Sequence, residues 1–160
     1  MAELCLSVHN RTMSNVSKTN KWQRLMQLDG ADKWLLLHAT VWLGIARIML
    51  IVMPFRHLSA RLSAKSDSTQ PEPDQELLQR ISYAVSAAAN NVPWRSDCFP
   101  QTIAARMLLK HHGHSSTIHL GVEKVGKDEL AGHAWLTCGE TVVTGGEDLH
   151  RYTELHRFPL

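Results

Sequence analysis

Two hydrophobic rhythms meet at Gly113, and no all-helical or all-strand fold accommodates both. Ahead of it apolar residues recur every third or fourth position; beyond it they alternate one by one. Leu77, Leu78, Ile81, Ala84, Val85 and Ala88 describe one face of a helix, capped by Asp74 and ended by Asn90, Asn91 and Pro93. A further helix starts at Cys98, takes Pro100 in its first turn where a missing N–H is harmless, and runs through Ile103, Met107 and Leu108 to a left-handed cap at Gly113. Ile118, Leu120 and Val122 then alternate with Thr117, His119 and Gly121, the mark of a strand with one buried face. A turn at Gly126-Lys127-Asp128 leads to a second strand, about Leu130 to Cys138. Gly139 and Glu140 turn it into a third, Thr141 to Thr144, stopped by Gly145 and Gly146. Helices followed by antiparallel strands predict an α+β domain.

The part before Asp74 divides by composition. Residues 1–20 are polar and without period, a flexible N-terminus; 21–64 form an N-terminal helical region; 65–76, with no apolar residue larger than proline, form a linker or exposed loop; 77–160 form the core. Within the helical region Lys33 to Met53 reads as one helix, Pro54 interrupts it, and a short piece follows from about Arg56 to Ala64. The stretch from Trp34 to Met53 approaches membrane-span length, yet carries His38 and Arg47. A mid-helix charge costs about 2.5–3.5 kcal/mol on insertion scales. A helix buried in protein is therefore expected ahead of a partner-docking or interfacial helix, and a span last.

Lys and Arg number 17 against 15 Asp and Glu in 160 residues, a net charge of +2, and the basic residues form no stripe. Nucleic acid is not an expected partner. Three cysteines, Cys5, Cys98 and Cys138, cannot close a disulfide set and include no C-x-x-C pair. Together with a start lacking a secretory pattern, this points to a reducing, cytoplasmic setting.

Cys98 is the residue with chemical promise. A thiol at a helix start feels unpaired N–H groups and the positive dipole end, which stabilise the thiolate. The same N–H groups can hold an oxyanion formed on an attacked carbonyl. His133, opening a strand, is a base that can pair with it and protonate a leaving amine. Spacing alone favours an inert thiol and a satisfied strand histidine. Cys5 in a polar tail and Cys138 beside a hairpin have no helix end to activate them. His111, His112 and His114 straddle a helix terminus without a cysteine or carboxylate at ligand spacing, so no metal is expected.

The ordered set Val92-Pro93-Trp94-Arg95-Ser96-Asp97-Cys98, Gln101, Leu120-Gly121-Val122, His133-Ala134-Trp135-Leu136 and Val142-Val143-Thr144-Gly145-Gly146 resembles the lasso peptide B2 proteins. Ala46-Arg47 and Pro54-Phe55-Arg56 are similar to the same family's N-terminal part, so the resemblance covers about residues 33–158. It implies a transglutaminase-like, papain-like cysteine protease core that removes the leader from a ribosomally made precursor, with Cys98 as nucleophile and His133 as base. It also implies a separate leader-recognition protein of B1 type and a sister cyclase that is the ATP user, leaving this chain without cofactor or metal. A non-catalytic helical scaffold and a thioester-forming acyl transferase are the other readings.

A related fused form carries an aspartate about twelve residues after the histidine, where this chain has Gly145. Glu140 sits at the hairpin tip, roughly 20 Å along the strand from His133. The group orienting His133 is therefore expected among Thr144, Glu147, Asp148 and a backbone carbonyl, with a bulge at Gly145-Gly146 swinging the acidic residues inward. Gln101, one turn after Cys98, is a candidate for oxyanion or substrate contact. Trp94 is placed as a cleft wall, Trp135 as a shield of the imidazole, and Arg95 and Asp97 as loop or substrate contacts.

Overall fold

Leucine, alanine and isoleucine crowd the first helix, α1 (Gly30–Val52), and Asp32 in its first turn complements the helix dipole. The computed structural model describes residues 29–54, 57, 74–125 and 129–159. The expected tail at 1–20, nearly all of the 56–64 piece, the loop at 65–73 and the turn at 126–128 lie outside these. Two units are distinguished, Met1–Trp34 and Leu35–Leu160. Of the first, 29–34 are described, as the opening of α1.

In α1, Leu35, Ala39, Leu43 and Ala46 join the same buried cluster as the later helices and the sheet. From Leu35 on, these four side chains thus share the core of the 77–160 segment. Burial applies to one face: Leu37, Val41, Ile45, Ile48 and Val52 are exposed along another. By length and composition alone α1 suffices to cross a membrane.

The second helix, α2 (Gln75–Ala89), begins two residues earlier than its apolar rhythm suggests, because the Asp74 side chain accepts from the Glu76 N–H. The third, α3 (Cys98–His111), ends as expected at Gly113, with φ of 83°. The His114 N–H donates to Leu109 O and the Gly113 N–H to Lys110 O, the paired bonds of a Schellman terminus.

Four antiparallel strands follow: β1 (Thr117–Val125), β2 (Glu129–Cys138), β3 (Thr141–Thr144) and β4 (Thr153–Pro159), in the order β3-β2-β1-β4. Cys138 faces Thr141 across the hairpin, and Glu140 is exposed in its turn. The register shift falls between Leu136 and Thr137, so Leu136 pairs with Thr144. This is earlier in the hairpin than the expected bulge at Gly145-Gly146. Ile118, Leu136 and Cys138 enter the core, whereas His119, His133 and Trp135 occupy the alternate positions of their strands.

The edge strand β4 was not expected, since Phe158 is its single buried residue. Its far end is held by a buried cation. Arg106 of α3, 1% exposed, donates from Nη1 to Phe158 O at 3.0 Å and from Nη2 to Pro159 O at 3.3 Å. Burial pulls its guanidinium down to about 10, still charged at neutral pH. Arg106→Ala leaves a void and two carbonyls without their donor. It will cost about 3 kcal/mol or more of stability, read from urea unfolding. An unchanged midpoint would show that β4 is held by its ladder alone.

Candidate active site

Asp97 precedes α3 in extended conformation and makes no side-chain cap. Its carboxylate lies 3.4 Å from Arg95 Nη2 instead, and both side chains are largely exposed. Arg95 and Asp97 thus hold the loop together, and the helix start at Cys98 is left without a carboxylate across it. Cys98 itself is a free, half-buried thiol. Thr102, one turn on and fully buried, is placed to donate to Cys98 O at 2.8 Å or to Ala134 O at 3.3 Å. It couples the start of α3 to the strand residue next to His133, and sequence reasoning missed it. A threonine on the buried face of α3 is its only signal in the sequence.

Cys98 and His133 line the same cleft, about 590 Å³, together with Gln101, Thr144, Gly145 and Glu147. His133 Nε2 lies 2.9 Å from Gly145 O. A carbonyl oxygen only accepts, so Nε2 carries the hydrogen and Nδ1 is the nitrogen left for a thiol. The orienting partner in this structure is thus a backbone carbonyl, twelve residues after the histidine. Gly145 reaches this position with φ of 70°, packed so closely on β2 that a Cβ would come within 2.5 Å of Ala134 O.

The side chains expected to orient His133 are placed otherwise. The Thr144 hydroxyl is buried, lines the cleft and has no hydrogen-bond partner among the described residues. Glu147 lines the cleft but is exposed, and the imidazole nitrogen it would need is bonded to Gly145. Asp148, with φ of 53°, places its carboxylate 3.8 Å from Arg151, which also pairs with Glu123 at 2.7 Å. Asp148 therefore serves the turn before β4.

Gln101 does line the cleft, but its amide donates to Ser96 O at 2.7 Å, so one of its two N–H groups braces the loop. Trp94 is not a cleft wall. Its indole lies over Gly44 of α1, where even a Cβ would approach to 3.7 Å. Cys138 is buried, and its thiol donates to Ser115 O at 3.0 Å, a structural role.

Trp135 backs the imidazole as one member of a longer stack. Its ring lies 6.1 Å from that of His133 and 5.2 Å from that of His119. Gly121 makes room for it, since a Cβ there would meet the indole at 2.9 Å. Tyr152 also stacks on His133, with ring centroids 4.6 Å apart. Tyr152 was not foreseen, because it lies between a short 3₁₀ turn and a strand with no apolar rhythm. Two aromatic neighbours restrict the imidazole's rotation and its contact with water.

The far end of the stack is polar. His119 Nδ1 donates to Glu154 Oε1 at 3.2 Å, and its Nε2 lies 2.9 Å from the Thr137 hydroxyl. Burial opposes ionisation of Glu154, but hydrogen bonds from His119 and Arg157 outweigh it and hold the carboxyl below its ordinary range. The folded value is depressed, so this contribution to stability is full above the ordinary carboxyl range and is lost as pH falls through the lowered value. Glu154→Gln will flatten the acid limb of stability against pH below about pH 4.5. Identical limbs for the two proteins would remove Glu154 from the linkage. Elsewhere, no three His, Cys, Asp or Glu side chains among the described residues converge as metal ligands.

The fold and site together define an α+β domain with a helix-start thiol and a strand imidazole lining one cleft. The sequence profile of the transglutaminase-like superfamily matches residues 40–157, and the chain belongs to that superfamily, which includes cysteine peptidases and acyltransferases. Comparison with curated proteins and with solved structures gives no match.

Proposed function

We propose that this protein is a cysteine peptidase that removes the leader from a lasso precursor peptide, acting with a separate leader-recognition protein. The observation that carries the peptidase part is that Cys98 and His133 line one cleft, with the imidazole's Nε2–H engaged by Gly145 O and its Nδ1 left for a thiol. The lasso assignment is supported by the ordered resemblance of the residues around Cys98, His133 and Gly145-Gly146.

The Cys98 thiolate attacks the scissile carbonyl at the leader–core junction. The negative charge passes to the carbonyl oxygen, which the Cys98 N–H at the uncapped helix start receives. His133, as imidazolium, gives its Nδ1 proton to the departing amine of the core, and a thioester to the leader remains. The same Nδ1 then takes a proton from water, whose oxygen attacks the thioester; collapse returns the sulfur and frees the leader acid. Holding the leader on a partner raises the local concentration of the junction at the cleft.

Mass analysis of a precursor incubated with this chain and its recognition partner tests the reading. Two peptides whose masses sum to the precursor plus water are expected, with no amide adduct when a free amine is added at low millimolar concentration. Dominance of the amide adduct would replace the peptidase by an acyl transferase. Absence of any change in the precursor would refute the leader-peptidase role.

A further inference from the structure

Cys98 and His133 also belong to the wall of a second cavity, about 280 Å³, completed by Phe99, Leu120, Val122, Leu155 and the open edge at Gly132. Apart from the thiol and the imidazole, no side chain lining it carries a polar group, in contrast with the hydroxyl-, amide- and carboxylate-lined cleft on which the same pair sits. It is roomy enough for any one side chain and lies near the lower limit of ligand pockets.

Two features of its wall are not explained by folding. Leu155 on β4 is 66% exposed at the cavity, an apolar surface left in water unless something covers it. Gly132 lies within a regular ladder opposite Val122, without a left-handed φ, and a Cβ there would meet nothing within 4 Å. Neither backbone conformation nor crowding calls for glycine at 132. Gly121, its neighbour on the same cavity, is different: there the Trp135 indole occupies the space. A missing side chain at 132 keeps the cavity open.

We infer that this cavity is a specificity subsite, receiving an uncharged aliphatic or aromatic side chain of the peptide next to the bond that Cys98 attacks. The inference rests on Cys98 being the nucleophile proposed above. It adds a selection for apolar residues that the polar cleft does not provide.

The test uses the full chain and N-alkylmaleimides of increasing length, ethyl to hexyl, with iodoacetamide as a small reference and peptide mapping to follow Cys98 alone. Thiolate addition forms one C–S bond while the alkene carbon takes a proton from water, so the alkyl tail is the only variable. A fully buried methylene is worth about fourfold in rate. At least about twofold per methylene is expected here, because the cavity is open on one side. Gly132→Leu fills the cavity and Leu155→Ser makes its exposed rim polar. Both are expected to flatten the chain-length dependence while leaving the iodoacetamide rate within about twofold. A flat series in the unsubstituted protein, or an undiminished slope in both variants, overturns the subsite and leaves the nucleophile standing. A Cys98 that reacts with neither reagent overturns the subsite and the peptidase together.

Discussion

Cys98→Ala will abolish precursor cleavage, a loss on the order of 10⁴-fold or more in kcat/KM, while the protein stays folded. The thiol is half-buried at the first position of α3, where alanine is compatible with a helix start. The change removes one sulfur and leaves Thr102 and Gln101 with their backbone acceptors, which are carbonyls of Cys98, Ala134 and Ser96. His133→Ala should cost nearly as much, since the thiol then loses the group that accepts and returns its proton. It also strips Gly145 O of its donor and Tyr152 of its stacking partner. The double variant should be no worse than either single one, because nucleophile and base act as a unit. Turnover of the precursor with its recognition partner reads the first effect, and the urea midpoint confirms folding. Cleavage surviving in Cys98→Ala would take the thiol out of the mechanism.

The helices and the β2–β3 hairpin were legible because each announces itself in side chains. Asp74, the three-and-four spacing from Leu77 to Ala88, Gly113 and Gly139 are local signals, and each has a local physical meaning. β4 is held instead by a distant guanidinium and by pairing with β1, and those forces leave no period in Thr153–Pro159. The orienting group was hidden for a related reason. Backbone carbonyls occur at every residue, so nothing in the letters distinguishes Gly145 O, and a double glycine reads only as a strand end. Acidic neighbours drew attention because carboxylates have names in a sequence, yet Asp148 is turned to Arg151 and Glu147 is exposed to solvent. Trp94 shows the same difficulty from another side: adjacency to Cys98 in the chain did not reveal that Gly44, fifty residues earlier, offers its indole a seat.

Gly145→Ala is expected to damage stability and turnover together, and its neighbour separates the two causes. The φ of 70° places residue 145 in the left-handed region, which costs an L side chain about 1–2 kcal/mol. Its Cβ would lie 2.5 Å from Ala134 O and 3.1 Å from both Cα and Cβ of Trp135, backbone and buried ring-bearing atoms that cannot turn aside. The segment must therefore move off β2, for a total of about 3 kcal/mol or more. Gly145 O moves with it, and a displacement of about 1 Å at a group that aligns the reacting imidazole costs about 10² in rate. The aspartate of the fused form cannot be restored by simple exchange either, because Gly145→Asp meets the same wall at its Cβ. Gly146→Ala is the control: its Cβ would press only on Val142 Cγ1 at 3.2 Å, a half-exposed side chain free to rotate, and its φ is not left-handed. It should retain turnover within about threefold and stability within about 1 kcal/mol. If Gly145→Ala instead keeps full turnover at a temperature where it remains folded, the carbonyl does not position His133, and the imidazole must take its alignment from the aromatic pair of Tyr152 and Trp135 alone.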